Sequence, residues 1–184
     1  SITFGGFQNI SGGGYGSAGT IDYGKQTISS GGVGSAGTIG AGLTGDRTGV
    51  QVQNGVQVIS SGGTGTVTNL IASAVTNYDD IVQTVSGVQI ISSGGVGSVT
   101  NLHGGVQQIS GGTGTVAVLS DGMQLINGGS GSVTTMNGGN QLVYSGAGSV
   151  DGMAGGTQMV YSDCTGTITT MNGGVQQAGE VDPD

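Results

Sequence analysis

Glutamine recurs along this chain at a nearly constant spacing. Nine glutamines, from Gln8 to Gln176, follow one another at steps of 18, 31, 32, 18, 17, 17, 17 and 18 residues. Two residues before each of them stands Gly, and two residues after stands Ile or Val in eight copies and Ala178 in the ninth. A fixed period of this length indicates a repeat fold in which each unit stacks on the next. The two long steps contain one normal step plus 13 or 14 extra residues.

The second half of each repeat is equally regular. A second Gly follows the Gln by seven or eight residues, then come a Ser or Thr, an apolar residue, and another apolar residue three positions on. These columns indicate two short strands separated by glycine corners. A unit of this size cannot bury an apolar face alone, so it must stack on its neighbours. The sequence therefore predicts an all-β fold, a parallel β-helix (β-solenoid) of about nine coils of 17–18 residues.

The parity of side chains along a strand predicts how the coil is filled. Gln and the aliphatic residue two positions later share one face, so we expect the Gln column to point inward as an amide ladder. The alternative is a Gln row lining a binding groove. The two apolar columns of the second half lie three residues apart, which predicts a bend between them. Both glycine columns are expected at corners, with positive φ at the Gly before Gln.

The composition excludes several other classes of protein. Gly accounts for 44 of the 184 residues, charged residues for 7%, and Trp is absent. Helices are disfavoured because Gly costs about 1 kcal/mol per position relative to Ala, and collagen is excluded because the chain has 1 Pro. A net charge of −8, with Lys25 and Arg47 as the only cations, argues against nucleic-acid and anionic-membrane partners. No apolar run is long enough to span a membrane, so direct insertion is not expected.

The columns combine into a Gly-Gly-x-Gln-x-Ile/Val pattern that is clearest at Gly104–Gly112 (GGVQQISGG). It recurs at Gly138–Val143 (GGNQLV) and at Gly173–Gln176 (GGVQ). Over roughly residues 5–178 the pattern resembles the AIDA-type repeat of bacterial self-associating autotransporter adhesins. The resemblance implies a right-handed parallel β-helix, exported as a passenger to the outer surface of Gram-negative cells. No signal peptide opens the chain, so we expect a fragment of such a passenger or another protein with the same repeat.

The resemblance also implies partners and a location. Passengers of this family bind host cells or one another, and some carry heptose on Ser or Thr. We therefore expect a bacterial cell-surface or secreted segment whose partners are other copies of itself, or host surface glycans and proteins. Residues 1–178 are expected to form one β-solenoid repeat domain, followed by an acidic tail or linker at 179–184.

The two long steps predict insertions near residues 40–53 and 71–85. Both follow the last apolar column of adjacent coils, so stacking would place them side by side on one edge, where solenoids often bind ligands. A candidate binding site there would use Arg47, Tyr78, Asp79 and Asp80. The alternative is a decoration that covers one edge of the rod. An isolated cation site at Asp46, Asp79 and Asp80 is a further, weaker hypothesis.

The hydroxyl column of the second half predicts a regular polar face. With the following Val or Ile pointing inward, its Ser and Thr side chains would face solvent. The column is a candidate site of O-glycosylation or adhesion; a plain solvated face is one alternative, and ice binding, which flat Thr arrays resemble, is another. The candidate positions are Thr66, Ser98, Thr115, Ser132, Ser149 and Thr167.

Few residues support catalysis or metal binding. The single His, His103, has no nucleophile paired with it in sequence, and we interpret it as an exposed turn residue. Cys164 replaces a turn Gly, and we interpret it as a passive turn residue. The alternatives are a disulfide between chains or a reactive thiol. Gly111–Leu119 has the glycines of a calcium-binding nonapeptide, but Val116 stands where the Asp ligand belongs. No catalytic residue, metal site or cofactor is therefore predicted.

These observations predict a non-catalytic repeat segment that mediates adhesion or self-association. Two other classes stay open at this point. One is a structural spacer that holds another module away from the cell. The other is a polysaccharide-acting β-helix enzyme, which would need clustered carboxylates of the kind that only the insertion edge offers.

Overall fold

The chain folds entirely into β-structure. The computed structural model describes residues 1–3, 5–44, 51–76 and 82–179. The strands are β1 (Ile2–Thr3), β2 (Phe7–Ile10), β3 (Tyr15–Asp22), β4 (Lys25–Ile28), β5 (Val33–Ile39), β6 (Ala41–Thr44), β7 (Gln51–Asn54), β8 (Val56–Ile59), β9 (Thr64–Thr76), β10 (Val82–Ser86), β11 (Val88–Ser92), β12 (Val96–Ser110), β13 (Gly112–Met136), β14 (Asn140–Met153), β15 (Thr157–Val160), β16 (Thr165–Met171) and β17 (Val175–Ala178).

Two stacks of parallel strands run the length of the molecule. One stack carries the glutamines and proceeds β2-β4-β8-β11-β12-β13-β14-β15-β17; the other proceeds β1-β3-β5-β9-β12-β13-β14-β16. Strands β12, β13 and β14 are long because each runs around a corner and contributes to both stacks. The register is constant: Gln89 pairs with Gln57 on one side and with Gln107 on the other. The predicted parallel β-helix is confirmed, with nine stacked Gln strands and therefore about eight turns of the solenoid.

The Gln column forms a continuous ladder inside the coil. Each side-chain amide donates from Nε2 to Oε1 of the Gln in the preceding coil, over 2.6–2.7 Å, from Gln26 on Gln8 to Gln176 on Gln158. A second Nε2 hydrogen reaches a main-chain carbonyl across the interior, as from Gln141 to Ser149 at 3.2 Å. The seven central glutamines have 0% exposure, so the Gln row does not line a groove. Each ladder Gln points inward because it shares a strand face with the buried Ile, and each amide hydrogen-bonds its neighbours. A polar column can therefore occupy the core.

Aliphatic columns flank the ladder on both sides. The Ile column of the Gln strands forms one cluster, and the two apolar columns of the second stack form another. In β12 the buried residues Val99 and Leu102 enclose the exposed pair Thr100 and Asn101. Thr100 has no partner in the strand register, whereas Val99 and Asn101 both do. The predicted bend is therefore present, and it turns both apolar columns toward the interior.

The glycine columns serve the predicted purpose only in part. Only the last coils have positive φ at the Gly before Gln, as at Gly122 (φ +93). At Gly87 in a middle coil, an added Cβ would overlap the carbonyl oxygen of Ile39 in the neighbouring coil. The expectation of positive φ throughout was thus wrong, because close backbone contact between coils also requires Gly. The second glycine column is not at a corner: Gly114 lies within β13, and a Cβ there would sit 2.9 Å from the buried Gln107 Oε1.

Both predicted insertions contain β-hairpins. Strands β6 and β7 pair antiparallel, and β10 pairs antiparallel with the end of β9. Each hairpin starts and ends close together at the solenoid: Gly55 N donates to Gly40 O at 2.7 Å, and Gly87 N donates to Ile71 O at 2.8 Å. Cα atoms of β7 and β10 approach within 8 Å, so the hairpins lie beside each other on one edge.

Candidate functional surfaces

The outward side of the second stack carries a regular array of hydroxyl groups. It arises because Val or Ile alternates with Ser or Thr, and the apolar member is buried, as at Val133 (1% exposed) between Ser132 and Thr134. We call this array the hydroxyl face; its members are Thr66, Thr68, Ser98, Thr100, Thr115, Ser132, Thr134, Ser149, Thr167 and Thr169. All six predicted positions are exposed or half-buried. Ala117 and Asp151 interrupt the array.

An amide pair continues this surface at the bend. Asn101 Nδ2 donates to Asn69 Oδ1 at 3.0 Å, and both side chains lie near the surface in adjacent coils. Neighbouring strands repeat at about 4.8 Å. The hydroxyl face and its Asn pair therefore present neutral donors and acceptors at a fixed spacing, a chemistry suited to polar, uncharged partners.

The predicted binding residues of the insertions lie outside the described residues. These are Arg47, Tyr78, Asp79 and Asp80, together with Asp46. The described strands of the two hairpins bring the predicted segments to the same edge of the solenoid.

A pair of stacked tyrosines lies near the carboxyl-terminal end of the ladder. The rings of Tyr144 and Tyr161 are 4.1 Å apart at their centroids and inclined by 21°, and the two hydroxyl groups are 3.2 Å apart. Tyr144 is 44% exposed. Sequence reasoning missed this pair, although each Tyr stands three residues after a ladder Gln, in consecutive repeats. In-register stacking converts that spacing into direct contact.

The tyrosine pair has a testable titration. The hydrogen bond from the Tyr161 hydroxyl to Tyr144 raises the pKa of Tyr161 above its ordinary value of 10.0, because ionisation would remove the donated proton. We expect Tyr144→Phe to lower the pKa of Tyr161, measured by NMR titration of ring-labelled tyrosine. The folded state holds this proton more tightly than the unfolded chain does, so the stability that it contributes is lost as the pH rises through the folded pKa.

A matched control separates this effect from a general loss of a hydroxyl group. Tyr15 is exposed on a distant coil, so Tyr15→Phe should leave the titration of Tyr161 unchanged. An unchanged Tyr161 titration in Tyr144→Phe would contradict the hydrogen-bonded pair.

A comparison with protein-family models, curated proteins and solved structures found no match to this chain. The described part of the chain contains no helix with the length and hydrophobicity of a transmembrane segment.

The remaining reactive side chains are dispersed over the described residues. His103 is exposed as expected, but it lies within strand β12 and not in a turn. Cys164 is half-buried against the Ile column, with its Sγ 3.4 Å from the carbonyl oxygen of Ser162. Asp121 accepts from the main-chain N–H of Gly122 at 2.8 Å. No three His, Cys, Asp or Glu side chains of the described residues cluster as metal ligands would.

Two shallow depressions lie near the amino-terminal end. One, of about 270 Å³, is lined by neutral residues that include Tyr15 and Val33. The other, of about 210 Å³, is lined by residues that include Phe7, Tyr23 and Lys25. Neither depression pairs two carboxylates as an acid and a base.

Proposed function

We propose that this chain is a repeat segment that acts by extended surface contact, as an adhesive or self-associating rod on a bacterial cell surface or in secreted form. It resembles the passengers of autotransporter adhesins in its repeat. The hydroxyl face carries the proposal, because it offers polar contacts over many consecutive coils instead of one concave site.

Such a surface binds through many weak contacts. One neutral hydrogen bond contributes only about 0.5–1.5 kcal/mol net. A row of hydroxyls in register makes several such contacts with a partner that is itself extended, such as a glycan chain or another rod. The same hydroxyls, with Thr66, Thr115 and Thr167 the most accessible of the predicted column, are where O-linked sugars would be attached.

A bead assay tests this proposal. Beads that display the full chain are mixed, scored for clumping, and exposed to a panel of glycans that includes acidic polysaccharides. The variant Thr100→Lys/Thr134→Lys places two charges on the hydroxyl face and is expected to reduce clumping or glycan binding at least tenfold. Asn127 is exposed where the Gln strand leaves the ladder, and Asn127→Lys serves as a control that should retain binding.

The outcomes of that assay decide between functions. Wild-type beads that neither clump nor bind any glycan would overturn the adhesive proposal and favour a spacer. Shortening of the acidic polysaccharides during incubation would indicate an enzyme.

Deleting the hairpins shows whether they take part in binding. The spacing from the last apolar residue of a coil to the next Gln is five residues between Leu102 and Gln107. Deleting residues 41–53 and 72–85 restores that spacing in the two inserted coils. We expect the deletion variant to keep its β-sheet circular dichroism, because each hairpin starts and ends at adjacent main-chain groups. Loss of binding with the fold intact would assign the partner site to the hairpin edge instead of the hydroxyl face.

A further inference from the structure

The Gln strands have an unusual polarity pattern. Gln and Ile are buried, so the residues immediately before and after each Gln point outward. In the middle coils these outward residues are largely apolar, and they include Val88, Ile90, Met123, Leu125 and Leu142, all half-buried. We call the outward side of the Gln strands between residues 56 and 160 the outer apolar face.

This pattern differs from that in an ordinary sheet with one solvated side, because the outward residues are apolar while a polar Gln column is buried beside the Ile column. Such sheets alternate apolar residues inward with polar residues outward. The other stack of the same coils follows the ordinary rule, since its outward residues form the hydroxyl face. The repeat therefore places apolar side chains outward on one side only. Strand propensity would favour β-branched residues on both sides of the coil, so it does not explain why apolar outward residues occur on one side only.

The charge distribution favours covering this face with a second copy of the chain. Each copy carries a net charge of −8. The outward positions of β8, β11 and β15, and of the Gln-strand parts of β12–β14, include no Asp, Glu, Lys, Arg or His side chain, and Lys25 on β4 borders them. Packing two such faces together would bury no charge and would leave the acidic residues in water, where salt screens them.

The dimensions suit a weak contact of this kind. Six Gln strands lie between residues 56 and 160. At about 4.8 Å spacing and about five residues of 3.3 Å each they give a face of roughly 29 by 16 Å, or about 460 Å². A standard interface buries about 800 Å² per partner, so this smaller face predicts a weak dimer that dissociates on dilution. In-register parallel strands give a regular surface that can pack about 10 Å from another sheet.

We propose that two copies of this chain pack through their outer apolar faces as a two-fold symmetric dimer. The proposal rests on the proposed function in that it names the partner, a second copy, and assigns it to a face other than the hydroxyl face. A two-fold contact uses the same patch on both copies, so it closes on itself and leaves both hydroxyl faces free for other partners.

Size-exclusion chromatography with light scattering tests the dimer. The wild-type chain of 17.6 kDa should elute at twice its mass and dissociate on dilution. Leu125→Lys is expected to weaken association at least tenfold, although it lowers the net negative charge and hence the repulsion between copies. Ser120→Lys, at an exposed position of the same strand β13 outside both faces, makes the same charge change and should remain dimeric.

Further outcomes keep the dimer distinguishable from adhesion. Should Leu125→Lys fail to fold, Ile90→Thr/Leu125→Thr replaces it, because Thr keeps strand propensity while removing apolar area. The dimer would be overturned by a wild-type chain that stays monomeric at 100 µM, or by two lysine variants that dimerise equally well. A monomer that binds lipid vesicles would also overturn it. Bead clumping that persists in Leu125→Lys would support the adhesive function independently of the dimer. A wild-type dimer that neither clumps nor binds glycans would support the dimer and overturn the adhesive function.

Discussion

Replacing Gln107 by leucine is expected to lower the free energy of unfolding by about 3–5 kcal/mol. Gln107 lies in the middle of the ladder with 0% exposure, donating to Gln89 and accepting from Gln124, each at 2.7 Å. Leucine fills similar space but leaves the Gln89 oxygen and one Gln124 hydrogen unpartnered in the core. Each buried polar group left without a partner costs about 1–3 kcal/mol. Urea denaturation followed by circular dichroism measures the loss.

Gln108 supplies the matched control for this experiment. It stands next to Gln107 on the same strand but points outward and is only half-buried. Gln108→Leu makes the same chemical change without interrupting the ladder, and it should alter the free energy of unfolding by less than about 0.5 kcal/mol, as most surface substitutions do. Equal losses in the two variants would show that the ladder contributes little to stability.

Replacing Gly87 by alanine is expected to be comparably damaging, by about 3 kcal/mol. The added Cβ would overlap the carbonyl oxygen of Ile39 and lie 2.7 Å from its carbonyl carbon. Main-chain atoms cannot rotate away as a side chain can, so neighbouring coils must separate. That movement would strain the bonds from Gly87 N to Ile71 O and from Val106 N to Gly87 O, of 2.8 and 3.0 Å. Overpacking of this kind typically costs about 1–3 kcal/mol, and at times more.

Gly152 is the control for the alanine substitution. It lies within β14 without positive φ, and the nearest heavy atom to an added Cβ is the Thr134 carbonyl oxygen at 3.7 Å. Gly152→Ala is expected to be neutral or to stabilise the fold by up to about 1 kcal/mol, because it reduces the entropy of the unfolded chain. Thermal denaturation of both variants measures the difference. A Gly87→Ala variant as stable as Gly152→Ala would refute the close approach between coils.

Much of the core could be predicted because the repeat fixes side-chain parity. Gln107 and Ile109 had to share a face, and stacking identical columns made an amide ladder the simplest way to satisfy a buried Gln. The bend between Val99 and Leu102 followed from the same parity argument. Candidate sites were harder to predict, because they depend on which chain segments meet in space. Tyr144 and Tyr161 are 17 residues apart, and only the register of adjacent coils brings their rings into contact.

The sequence by itself determined the period, the class of fold and the residues that fill the coil, since each follows from a pattern repeated nine times. Only the tertiary structure decided why each glycine is needed. Gly87 and Gly122 occupy the same column and both lie against a main-chain carbonyl oxygen of the neighbouring coil, but only Gly122 also has positive φ. Tertiary structure also decided that the rings of Tyr144 and Tyr161 stack on each other. Distances between coils and the register of adjacent coils set both outcomes, and neither can be read from a single repeat.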